Sequence, residues 1–230
     1  MHKKLGFTLA EVLITLGIIG VVASVTLPSL TLDVEKRKIP TTLSNAMNTL
    51  ETVNKMALVE NEAERLCDIT NHCSATNAAD KYLSDIFVKY TSAVKFPSTL
   101  LTGSDKYTYD GISVSSGYTT KDGISFMVRS SSYYKKINNL GSDNYPESAS
   151  GDYYTIVVDL NGRKGPNKTA QDVFYFRVDT KGGVFPMGSS AYYGQTDWTT
   201  NCPADGTAPV DAIACSSSIV ENGWQVKYKY

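Results

Sequence analysis

The chain has 230 residues, 42% of them apolar, which leaves room for one core-bearing domain plus an accessory segment but not for two full domains. Lys and Arg total 22 against 23 Asp and Glu, so bulk charge excludes the electrostatic footprint of a nucleic-acid or anionic-lipid binder. Fifteen Tyr, with abundant Ser, Thr, Asn and Gly, indicate short strands and polar loops facing water, as in an exported protein.

The amino terminus is short and basic, Met-His-Lys-Lys-Leu-Gly, and an apolar run starts directly at Phe7. From Phe7 to Leu32 only Glu11 is charged, and a helix over that stretch is roughly 39 Å long, enough to cross a bilayer with some tilt. A secretory signal peptide has an apolar stretch of about 7 to 15 residues with its cleavage site after it. Here the stretch is longer and the small residue, Gly6, comes before it, so cleavage there leaves the membrane helix on the product. A lone carboxylate inside such a helix is costly, and a plain signal anchor gives it no purpose.

The run Gly6, Phe7, Thr8, Leu9, Ala10, Glu11 resembles the processing motif of type IV prepilins and type II secretion pseudopilins. The resemblance implies a leader at 1–6, a transmembrane and assembly helix at 7–32, and a head at 33–230 that includes the second half of the amino-terminal helix. It implies cleavage by prepilin peptidase between Gly6 and Phe7, methylation of the new Phe7 amine, and a role for Glu11 in assembly with a neighbouring subunit. Pro28 falls where the family carries a helix-bending proline. The implied fold class is α+β, a long amino-terminal helix packed on an antiparallel sheet. Implied partners are the peptidase, other pilin copies, an inner-membrane assembly platform and, before assembly, the lipid bilayer.

After Leu32 the sequence turns polar at Asp33, Glu35, Lys36, Arg37 and Lys38, where the helix leaves the membrane. Pro40 is expected to interrupt or bend the path, with Thr41 or Thr42 capping a further helical stretch whose apolar stripe is Leu43, Met47, Leu50 and Ala57 or Leu58. Four cysteines follow as two local pairs, Cys67 with Cys73 and Cys202 with Cys215. Three connectivities are open; short loop closure favours the local pairs, and either way the head belongs outside the reducing cytosol. Together with the prepilin resemblance, this implies a single-pass bacterial inner-membrane chain, later part of a periplasmic or cell-surface filament. With two His in the chain and no Cys-x-x-Cys, zinc is not the expected reading.

From Tyr107 the period changes to two, predicting strands at Tyr107–Val114, Ile124–Arg129, Tyr153–Leu160, Val173–Asp179 and Trp224–Tyr230, with a hairpin turn over Asp179–Gly183 and loops at 139–152 and 188–218. Between two of these strands lies an oxygen-rich segment in which Asp159, Asn161, Asn167 and Asp172 point to calcium. It resembles the calcium-holding loop of major type II secretion pseudopilins. Yet EF-hand spacing is absent, Arg163, Lys164 and Lys168 oppose a cation, and a strand connection built on Asn161-Gly162 and Gly165-Pro166 turns is the preferred reading. No other cofactor is expected. Asn167-Lys168-Thr169 matches a glycan acceptor only as a common three-residue pattern. His2 and His72 sit in no triad context and Gly162–Lys168 lacks a phosphate-loop ending, so an enzyme is not indicated. The reading is a structural subunit of a pilus or pseudopilus; the alternative is a minor pilin or membrane-anchored surface binding or adhesion protein.

Overall fold

A computed structural model describes residues 8–70, 78–102, 107–109, 112–129, 153–187, 202 and 215–228. The chain divides into two compact units, Met1–Lys38 and Ile39–Tyr230. Helix α1 runs through Leu9–Glu60 for 52 residues. It therefore continues across both Pro28 and Pro40, and no new cap forms at Thr41 or Thr42. A proline withholds its N–H from the ladder and crowds the carbonyl four residues back, but Ile39 and Leu43, both buried, pin the helix on either side of Pro40.

Short elements follow: α2 (Leu66–Thr70), α3 (Ala78–Lys81), a π-helical turn (Tyr82–Phe87), α4 (Val88–Thr91), β1 (Val94–Lys95) and α5 (Ser98–Thr102). Then come β2 (Thr108–Tyr109), β3 (Ile112–Thr119), β4 (Ser125–Arg129), β5 (Tyr153–Asp159), a 3-10 turn (Gly162–Lys164), β6 (Val173–Asp179), β7 (Val184–Pro186) and α6 (Cys215–Glu221). The strands form an antiparallel sheet of seven in the order β1-β3-β4-β5-β6-β7, with β2 paired to β3.

The expected strand Tyr107–Val114 is two elements folded back on each other, with Thr108 opposite Ser113 and Tyr109 opposite Ile112. The Asp179–Gly183 turn forms as expected: Asp179 N donates to Gly183 O at 2.9 Å, Gly183 N donates to Asp179 Oδ1 at 2.7 Å, and Gly182 takes φ +95. Residues 139–152 lie outside the described residues, and the end of the expected 188–218 loop is instead the start of α6. Trp224–Tyr230 is not a strand over its described part, 224–228, although Trp224, Val226 and Tyr228 do turn half-buried sides inward while Gln225 and Lys227 are exposed.

Both faces of the sheet are covered. One carries Tyr154, Ile156 and Val158 of β5 and Phe174, Phe176 and Val178 of β6, packed with Leu43, Leu50 and Ala57 of α1. The other carries Val157, Val173 and Tyr175, packed with Phe96, Leu100 and Tyr109. Two-sided burial explains why these strands read as nearly continuous apolar runs rather than clean alternations.

Candidate functional site

Two regions bear the residues singled out by sequence. Gly6 and Phe7 lie outside the described residues, but the first turn of α1 is described beside them. Thr8 is its N-cap. Glu11 folds back to it, accepting the Thr8 N–H at 2.7 Å and the Thr8 hydroxyl at 2.8 Å on Oε2, while Glu11 N donates to Thr8 Oγ1 at 3.3 Å. This reciprocal arrangement is a capping box, satisfying donors that the first helical turn leaves open. The Thr-x-x-Glu spacing is the signal for it, although in the sequence Thr8 stood out only as a member of the 6–11 run.

Beyond the cap, Leu9–Thr26 is long and apolar enough to cross a membrane, and none of it is buried. Its hydroxyls are satisfied within the helix: Thr15 donates to Val12 O at 2.9 Å, Ser24 to Val21 O at 2.8 Å and Thr26 to Val22 O at 3.0 Å. Internal satisfaction is what hydrocarbon surroundings demand. Leu9, Leu13, Ile14, Ile18 and Ile19 are all exposed and lie around the whole helix, so this apolar surface requires lipid or another protein. Pro28 lies within α1.

The second region is the connection from β5 to β6, where Asp159 and Asp172 are buried. Asp159 accepts the Tyr107 hydroxyl on Oδ2 and Asn161 N at 3.0 Å on Oδ1. Asp172 accepts Lys168 N at 2.8 Å, Asn167 N at 2.9 Å and Asn161 Nδ2 at 3.2 Å. Asn161 thus ties the two carboxylates together, and all four residues expected to hold calcium belong to one hydrogen-bonded loop. Asn161 Oδ1 and Asn167 Oδ1 are buried and accept no hydrogen bond. Burial pushes Asp159 up to about 7, with the Asp172 charge adding to the rise and the Tyr107 and Asn161 donors opposing it. Burial raises Asp172 as well, against the backbone donors of Lys168 and Asn167. Arg163, Lys164 and Lys168 are exposed. Among the described residues no group of three or more His, Cys, Asp or Glu gathers as a metal cluster, so any cation held here relies on amide oxygens as well as carboxylates.

The cysteines brace this loop from outside. Cys202 and Cys215 are joined, with Cα atoms 5.0 Å apart, and pack with Ala170 and Tyr228. Tyr228 Oη donates to Ala170 O at 2.8 Å. Cys67 is also disulfide-bonded, and Cys73 lies outside the described residues.

Residues 1–27 match the family model described as the prokaryotic N-terminal methylation motif, the signature of type IV pilins and pseudopilins. No curated protein and no solved structure matches the chain. The apolar amino-terminal helix followed by a seven-stranded antiparallel sheet is an α+β arrangement consistent with the pilin-like fold.

Proposed function

We propose that the chain is a structural subunit of a type IV pilus-like filament or a type II secretion pseudopilus, with no enzymatic role. Prepilin peptidase cuts between Gly6 and Phe7 and methylates the Phe7 amine; the subunit then waits in the inner membrane, its head outside the cytoplasm, until the assembly platform adds it to a filament. Glu11 leaves its cap and pairs with the Phe7 amine of a neighbouring copy. A buried pair of this kind sets register more than it adds strength, because a partner left alone is penalised. The observation that carries this reading is a methylation motif leading into an unburied apolar helix whose single charge is Glu11. The expected result for protein extracted from membranes is an intact mass that begins at Phe7 with one added methyl group. A mass retaining Met1, or a soluble product cut after the apolar run, overturns it.

Calcium in the β5–β6 loop is a second proposal, favoured by the two orphaned Asn oxygens beside two buried carboxylates. Asp159, Asn161, Asn167 and Asp172 would hold it, and the ion would offset the charge that burial makes costly. The sign of the pH effect follows from the raised value of Asp159. With chelator present, the folded state holds a proton that the unfolded chain releases near pH 4, so stability is full below about pH 4 and is lost as pH rises through about 7. Added calcium is expected to raise the melting temperature at pH 8 and to flatten that decline, while Asp159→Asn removes both effects. Melting curves at pH 8 that superimpose with calcium and with chelator sink the metal.

A further inference from the structure

Between Ile39 and Glu60 the face of α1 opposite the core presents Thr41, Asn45, Asn48, Thr52, Met56 and Val59, all exposed. Their spacing keeps them on one side of the helix. None is charged. The charges of this stretch, Glu51, Lys55 and Glu60, flank the stripe and are already paired: Lys55 with Glu51 at 3.6 Å and Lys89 with Glu60 at 2.6 Å. A helix face meant for water ordinarily carries charge, and one bare of it for five turns is suited to being covered.

The stripe forms one wall of an open groove of about 590 Å³, whose other walls are Tyr90 and Thr91 at the end of α4 and Thr120, Lys121 and Asp122 in the β3–β4 turn. Among the described residues of Ile39–Tyr230, the exposed large apolar side chains are Met56, Val59 and Val94. Met56 lines the groove, Val59 follows it on the stripe, and Val94 pairs with Thr119 beside the groove's Thr120. The groove's own charges, Lys121 and Asp122, are one of each sign.

We propose that this groove is a head-to-head contact that receives the neighbouring copy of the same chain. The inference rests on the filament reading above and names where the heads meet. The occupant is a second copy for two reasons. The stripe is carried by the same continuous helix whose unburied apolar segment bears the motif, so copies brought together by that segment meet at high effective concentration. The stripe itself is uncharged and the groove's Lys121 and Asp122 cancel, so an identical neighbour meets no net electrostatic repulsion.

Met56 supplies a direct readout, since it is 52% exposed in the free head. In dilute peroxide, sheared wild-type filaments are expected to oxidise Met56 about tenfold more slowly than detergent-dispersed subunits. Thr52→Glu places an unpaired charge in the contact and is expected to lower filament yield about tenfold or more, with processing at Phe7 and melting temperature unchanged, whereas Thr52→Val assembles normally. Equal Met56 oxidation in both states, or full assembly by Thr52→Glu, overturns the contact. So does a Thr52→Glu variant that builds filaments but loses attachment to a surface, which marks the groove as a ligand site. If wild-type protein instead keeps Met1 and forms no filament, it is the subunit reading itself that fails, and the contact falls with it.

Discussion

Glu11→Leu is expected to be cleaved after Gly6 and retained in the membrane like the parent, yet to lower filament yield by about tenfold or more. Leu inserts into a bilayer more readily than a carboxylate, so anchoring does not suffer. On the proposed reading, what is lost is the one charge that distinguishes a correct axial offset from its neighbours along a uniformly greasy helix. The capping box sharpens the test, because Glu11 has a partner in its own chain, Thr8, and removing it also weakens the start of α1. Thr8→Ala separates the two effects. It removes the hydroxyl bonds but keeps the carboxylate, and near-normal filament yield is expected from it. If Thr8→Ala fails as badly as Glu11→Leu, the helix start rather than an intersubunit pair is the requirement. Normal yield from Glu11→Leu removes the assembly role altogether. Intact mass and the sheared-filament fraction, measured together, read all of these outcomes.

The front end was legible because its signals are local: a residue order at 6–11, an apolar run, and a single acid. The stripe of α1 was legible for the same reason, since Leu43, Leu50 and Ala57 are buried and Met47 and Leu58 are half-buried at the expected phase. Strands β5 and β6 were found through a period of two, although burial on both faces makes them nearly continuous apolar runs, and the Asp179–Gly183 turn followed from its Gly pair. The carboxyl end misled. Alternation in Trp224–Tyr228 marks a dry side and a wet side, but a strand also needs a free backbone edge beside it. Here Gly223 takes φ +70 and donates to Val220 O at 3.1 Å, and Trp224 N donates to Ile219 O at 2.9 Å. These are the two bonds of a Schellman cap on α6, so the backbone of Trp224 is spent closing a helix. Strands β1 and β7, of two and three residues, are too short for any period to show. The four residues proposed for calcium were placed in one loop by sequence, but their cross-bracing through Asn161 depends on backbone turns that no pattern encodes.

Asn54 is the polar residue that a reading of α1 by hydrophobic pattern misses, and its replacement is expected to be among the most damaging in the head. It is fully buried in the apolar stripe. Its Nδ2 donates to Gly182 O at 3.0 Å and its Oδ1 accepts the Tyr82 hydroxyl at 2.7 Å. One side chain therefore fastens α1 to both the π-helical turn and the β6–β7 hairpin. Tyr82 is itself buried and stacks on Tyr154 with ring centroids 5.0 Å apart. The hairpin is pressed close: a Cβ on Gly182 would meet Leu58 Cδ1 at 3.0 Å and Asn54 Cβ at 3.4 Å. Little room remains for the turn to shift and find another donor. Asn54→Ala orphans a buried hydroxyl and a carbonyl and leaves a small void, for a combined cost of about 3 kcal/mol in chemical denaturation. Tyr82→Phe orphans only Asn54 Oδ1 and is expected to cost about 1 to 2 kcal/mol. The two changes together should fall short of their sum by about 1 kcal/mol, because they remove the same hydrogen bond. Strict additivity, or a loss below about 0.5 kcal/mol for Asn54→Ala, would show that packing of the aromatic pair, rather than the amide, holds the helix to the sheet.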